Sequence, residues 1–365
     1  MYTVGYLRSI TRAAAVSLAL GSSFLALPGT VFASTTPAPV LQAPPVVNGV
    51  VEISTAGQLE YVDQHQALEI SPTSSLVYLN ASIELMNNID LNGYQWHPFG
   101  TAADLYRGQF NGQGYKISNF TIKGTSEGVG FFGVTYVGTH ITNLGVEGSV
   151  TGNYDSVGLL VGSSSSTIKD CYSEGSVTGK SYYDGGLVGS NGGSITDSYS
   201  TASVSGLNQV GGLVGLTQLA VSGDYATGSV TSTYSHDIGG LVGNYNMGSI
   251  YNSYYDQTTT GQKVGIGNPN FGGATPLSDT AMKLASSYTS TPSWDFTKTW
   301  GIDPSINNGY PYLRSMLNSY SSSGNIAGTL PEVPLAGALP MIGIGALGAI
   351  IFIRRQKINT RSFLR

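Results

Sequence analysis

The pentapeptide GGLVG occurs three times, at Gly185–Gly189, Gly211–Gly215 and Gly239–Gly243, and looser copies precede it at Gly130–Gly133 and Gly158–Gly162. The last glycines of these copies, at 133, 162, 189, 215 and 243, are spaced 29, 27, 26 and 28 residues apart. A period of that length marks a solenoid, because one such unit cannot bury its apolar side alone and has to stack on its neighbours. A surface built this way repeats along one axis. It suits binding or scaffolding, and catalysis has to be carried by a specific site.

Two further segments follow each glycine-rich copy. The first reads ITNLGV at Ile141, TIKDCYS at Thr167, SITDSYS at Ser194, AVSGDYA at Ala220 and SIYNSYY at Ser249; the second reads GSVTG at Gly148 and Gly175, ASVSG at Ala202 and GSVTS at Gly228. Three short strands per unit with Gly, Asn or Asp at the corners describe a three-sided parallel coil. The composition agrees. The chain has 50 Gly and 23 Tyr with only 10% charged residues, and it lacks the Glu, Lys, Leu and Ala bias of a helical array. Cys171, the single cysteine, cannot close an intramolecular disulfide, so stability has to come from stacking.

Columns follow from the repeat. Val150, Val177, Val204 and Val230 form one apolar column; stepping back by two gives Gly148, Gly175, Ala202 and Gly228, then Val146, Ser173, Ser200 and Ala226. These small or apolar residues suit a narrow interior. The period of two then turns Tyr172, Tyr199, Tyr225 and Tyr254 outward as a stacked aromatic stripe, a candidate glycan-binding surface. Stacking of identical residues to stabilise the sheet is the other reading of that stripe. Asp224 falls inward beside Cys171 and Ser198, and the cost of an isolated buried carboxylate leads us to expect a register shift there.

The GGLVG repeats, with SITDSYS, GSVTG and the preceding FNGQGYKISNFTI, resemble the GLUG motif of bacterial surface proteins, among them adhesin-like proteins and nonpeptidase regions of some immunoglobulin A proteases. The resemblance covers about Ile53 to Leu313, since MKLASSYTSTPSWDFTKTWGIDPSINNGYPYL is similar to the closing segment of such proteins. It implies an all-β, right-handed parallel β-helix (β-solenoid) at the cell surface, and it brings no catalytic residues. HExxH is absent from the sequence, so protease chemistry finds no support.

Both ends carry targeting signals. Residues 1–33 read as a signal peptide, with Arg8 and Arg12 before an apolar stretch from Ala13 to Leu27 and cleavage expected after Ala33. Pro334 to Ile353 is 20 residues without a charge and precedes Arg354, Arg355, Lys357, Arg361 and Arg365. That pattern predicts a transmembrane helix at 334–353 and a basic cytoplasmic tail at 354–365. The ending from Leu330 is also similar to sorting signals of the PEP-CTERM type, with a plain single-pass anchor as the alternative. Between these ends lie a Pro/Thr-rich linker (34–48), an N-terminal cap with the first coils (49–127), the repeat coils (128–256), a C-terminal cap (257–318) and a second linker (319–333). Within the cap a helix is expected only around Thr55 to Gln66, with Ser54 as its cap. Trp294, Trp300 and NNGYPYL are expected to plug the open end of the stack.

Residues 34 to 353 hold 9 basic and 21 acidic side chains, a balance of 9 − 21 = −12. Such a surface repels phosphate backbones, which argues against nucleic-acid partners. The acids Asp155, Asp184 and Asp237 before the glycine-rich copies, and Asp170, Asp197 and Asp224 after them, are scattered, with Lys169, Lys180 and His236 the nearby bases. Solvated turn carboxylates explain them more simply than acid/base catalysis or calcium ligation. Likewise His65, His97, His140 and His236 lack ligand spacing, and Cys171 reads as an inert core residue. The expectation is a non-catalytic adhesion or matrix protein without cofactor or metal, secreted and held at the cell surface by its C-terminal helix. Its partner would be a polysaccharide or host glycan. The alternatives are a carbohydrate-active enzyme, either a polysaccharide lyase or a glycoside hydrolase, and a purely structural envelope protein.

Overall fold

Each glycine-rich copy delivers its Val to the start of a short strand. Val161–Ser164, Val188–Asn191, Val214–Thr217 and Val242–Tyr245 stack in parallel, with Phe132–Val134 before them and Ile266–Asn268 after. The computed structural model describes residues 39–320, apart from 72–73, 235, 269–271 and 290–293. In it the chain winds as an all-β solenoid of about seven turns. Glycine is required in the motif because coils approach backbone to backbone at this corner. A Cβ on Gly189 would lie 2.5 Å from the carbonyl carbon of Ser156 in the preceding coil.

A short strand precedes each copy and was not anticipated: Val157–Gly158, Tyr182–Gly185, Asn208–Gly211 and Ile238–Gly239 form a parallel ladder of their own. The remaining wall is one large sheet bent at a corner. On one side stand Thr167–Lys169, Ser194–Thr196, Val221–Ser222 and Ile250–Tyr251; on the other, Tyr172–Gly179 and its counterparts. Asn143, Asp170, Asp197, Gly223 and Asn252 hold that corner with φ between 50° and 76°. Only Gly, Asn and Asp enter this left-handed region readily, which explains the Asn and Asp of the repeat.

The stack begins with Val50–Ile53, whose parallel partner is Ser82–Leu85, followed by the long strands Gln109–Gly124 and His140–Gly152. Val46–Val47 covers the first strand in antiparallel fashion. The expected helix is Ala56–Gln64, but Thr55 caps it rather than Ser54: Thr55 Oγ1 accepts from the Gln58 N–H, and the Gln58 side chain accepts from the Thr55 N–H in return. Leu59 and Val62 face the core from this helix. At the other end the parallel ladder continues past residue 256 through Ala274–Leu277, which pairs with Ser253–Asp256.

The Val150, Val177, Val204 and Val230 column is buried and in register, as is the column of Val146, Ser173, Ser200 and Ala226. Two expectations need correction. Register does not shift at Asp224: Ile195 pairs with Val221 and Tyr199 with Tyr225, so the carboxyl enters the interior fully buried. Gly148 and Gly175 are not interior either; they line an outer groove, while Ala202 of the same column is buried.

The expected signal peptide, transmembrane helix and basic tail lie outside the described residues. Among the described residues no helix is long and apolar enough to cross a membrane.

Candidate binding groove beside a covered tyrosine ladder

Tyr172, Tyr199, Tyr225 and Tyr254 do stack in register on the outer side of the sheet. Ring centroids are 5.2 Å apart between Tyr172 and Tyr199 and 4.8 Å between Tyr199 and Tyr225, with the planes nearly parallel. Gly145 occupies the next place in that column, where a Cβ would run into the Tyr172 ring at 2.4 Å. The expectation that this stripe faces solvent is overturned, since all four rings are at most 1% exposed.

What covers them are the described residues of 278–289 and 294–320, which run back along the flank of the rod as a strap. Trp294 and Trp300 stack on each other at 4.3 Å and pack on Tyr225, and Met282, Tyr288, Leu313 and Met316 complete the layer. Tyr225 Oη donates to the Pro311 carbonyl at 2.5 Å and accepts from Asn307 Nδ2 at 2.7 Å; the Tyr199 and Tyr320 hydroxyls bond to each other. The tryptophans and the NNGYPYL segment therefore clasp the side of the stack instead of plugging its end. Four stacked rings offer a large apolar area, and covering them favours this placement of the segment. Burial also raises the Tyr172, Tyr199 and Tyr225 hydroxyls well above their ordinary range, so they remain neutral donors.

The strap leaves the adjoining column partly open, from Ser118 to Thr201, and covers Thr227. Ser118, Glu147 and Glu174 are register partners on successive rungs, and Thr201 and Thr227 continue the line. A groove follows this column in three open sections of about 600, 570 and 400 Å³ that have Glu174 in common; the first lies on the sheet face alone, and the strap walls the other two. Asn92 and Asn119 line it at the N-terminal side, and Asn307 and Asn308 of the strap line it farther along.

Lys116 Nζ reaches both Glu147 oxygens, at 2.8 and 3.0 Å, and Tyr172 Oη donates to Glu147 Oε1 at 3.1 Å. Glu174 has no such clasp and is exposed on the groove floor. The surrounding protein, then the neighbouring Glu147 charge, raise its carboxyl above the usual range, with Lys116 pulling the other way. Chemically the groove offers amides, hydroxyls and one carboxylate free of a salt bridge, an array suited to the hydroxyls of an extended sugar chain. The Glu pair was missed in the sequence although VEGSVTG and SEGSVTG repeat it in place. Asn307 and Asn308 carry no local signal, because only the packing of the strap brings them there.

The other singled-out side chains do not converge. Asp155 accepts from Ser181 Oγ and the Tyr182 N–H, and Asp237 accepts from Asn244. Asp170 and Asp197 sit at the bent corner, with Asp170 pushed up to about 6, by burial first. Asp184 is no solvated turn residue: it is fully buried, and burial moves it to about 7. His97 meets Asp63 at 2.9 Å in the N-terminal cap. No group of three or more His, Cys, Asp or Glu able to hold a metal ion occurs among the described residues. Cys171 is buried with its thiol pushed up to about 12, by burial first.

Comparisons with known proteins agree with this architecture. The model of the GLUG motif matches residues 181–205. A protein of Evansella cellulosilytica described as a "Putative Gly-rich membrane protein" is 34% identical over 108 residues, which is 28% of this chain and 11% of that protein. The chain thus matches only about a tenth of that relative's length. A solved structure from Bacteroides ovatus, described as a "putative immunoglobulin A1 protease", superposes with a TM-score of 0.53 at 17% identity, over 75% of this chain and 95% of the other. At that identity the likeness is one of fold. The chain contains a GLUG motif set within a β-solenoid.

Proposed function

We propose that this protein is a non-catalytic adhesion or matrix component of the cell envelope that holds an extended polysaccharide or host glycan in the groove beside its strap. The carrying observation is the groove itself, which crosses successive rungs and is walled by amides and hydroxyls. The expected anchor at 334–353, the acidic balance of the outer part and the membrane description of the Evansella relative support a place in the envelope.

Binding of the full chain to a glycan array and to whole cells tests this reading. Thr201→Trp should fill the groove and abolish retention without changing the melting temperature; unchanged retention would overturn the assignment. A second reading is suggested by Glu147 and Glu174 on adjacent rungs, because a pair of carboxyl groups close to one glycosidic bond is the requirement for glycoside hydrolysis. Release of new reducing ends from a bound polysaccharide, lost in Glu174→Gln, would establish it.

A further inference from the structure

The groove has a sign and a length. Of the side chains that line its three sections, Glu147 and Glu174 are acidic and Lys116 alone is basic. Lys116 is committed to Glu147 through two hydrogen bonds, which leaves Glu174 as the uncompensated charge at the centre. An acidic polysaccharide would meet like charge here, against a background of −12 over residues 34–353 (9 − 21). From the rung of Asn119 through those of Glu147, Glu174 and Thr201 to that of Thr227 the groove crosses four intervals. At about 4.8 Å per rung that is roughly 19 Å, the length of several sugar rings.

We propose that the groove receives the interior of a linear hexosamine polymer bearing free amino groups, laid along the rod axis with an ammonium group against Glu174. This rests on the reading of the groove as a glycan site and narrows its ligand. The ring hydroxyls both donate and accept, and Asn92, Asn119, Asn307 and Asn308 line their path; Asn307 Nδ2 is held by Tyr225 Oη and the Pro311 carbonyl, which leaves its amide oxygen as the acceptor there. A basic peptide fits less well. The floor strands are paired on both sides within the ladder, so they offer an extended peptide no free main-chain edge.

Calorimetric titration of the full chain tests this, using glucosamine oligomers from two to six units, the N-acetylated hexamer, a neutral glucose hexamer and a lysine hexamer. The expected result is affinity for the glucosamine series that rises with length and weakens with salt. Glu174→Gln should lower it about fivefold, the scale of one exposed ion pair, while leaving the melting temperature unchanged. Equal binding of the N-acetylated or neutral hexamer, unaffected by Glu174→Gln, overturns the amine preference and leaves the glycan reading standing. Affinity flat with length overturns recognition of a chain interior. Binding of the lysine hexamer alone, or of none of the probes, overturns both.

Discussion

Asp184 occupies a place that the coils before and after fill with Val129, Val157, Val210 and Ile238. Neither of its oxygens has a hydrogen-bond partner among the described residues, and Asp224 one coil later leaves Oδ2 in the same condition. Burial raises both carboxyls, Asp184 to about 7, so the folded chain holds a proton there that the unfolded chain releases near pH 4. Protons bound in excess by the folded state mean that stability falls as pH rises. Asp184 is without penalty below about pH 4, costs progressively more up to about pH 7, and is flat above. With each unit worth about 1.4 kcal/mol, the whole span amounts to roughly 4 kcal/mol at most. Asp184→Val should therefore stabilise the protein little at pH 4 and by a few kcal/mol at pH 8, read from urea unfolding at the two pH values. Equal gains at both would remove the titration argument. Cys171 gives a simpler expectation: a thiol raised to about 12 inside the coil should resist alkylation in the native protein and react fully once it is unfolded.

At the scale of elements, the strap does the most to shape the molecule. Trp300 packs against Trp294, Tyr199 and Tyr225 and is 1% exposed. Trp300→Ala should cost about 3–5 kcal/mol in urea unfolding. It should also weaken glycan retention, because Asn307 and Asn308 line the groove only while the strap is seated. The rungs are legible in the sequence, since the spacing of GGLVG sets the register and the alternation in GSVTG sets the buried Val column; the strand before each copy and the outer place of Gly148 and Gly175 are not. The ladder of Tyr172, Tyr199, Tyr225 and Tyr254 was legible for the same reason. Its burial was not: alternation says which way a ring points relative to the sheet, and nothing local says that residues far along the chain will lie on it. The groove escaped notice on the same ground, because one of its walls belongs to the sheet and the other to the strap. Asp224 taught the opposite lesson. The column pattern placed it correctly, and the cost of a buried charge was met by a raised carboxyl pKa, with the Ser198 N–H donating to Oδ1 at 2.7 Å, instead of by a change of register.

Across the whole molecule, the strap joins the last coil to the first ones. Trp294 Nε1 donates to the Asn252 carbonyl near one end, and Asn318 Nδ2 donates to the Gln113 carbonyl near the other. Solenoids ordinarily tolerate the loss of one unit, because each repeat contacts only its neighbours. Here deletion of residues 190–215 should keep every rung pairable yet draw the strap about one 4.8 Å step out of match with the tyrosines. The expected outcome is a drop in melting temperature well beyond that of the same deletion made in a chain already carrying Trp300→Ala. Equal drops would mean that the strap spans the stack without tying it. Asn88 Nδ2 also donates to the Asn318 carbonyl, while Tyr320 stacks on Tyr172 and its hydroxyl bonds to that of Tyr199, so the end of the strap is fastened to an early turn and to two repeat rungs at once. A pull on whatever follows Tyr320 would therefore be shared across several rungs at the joint, as a shroud shares load along a mast.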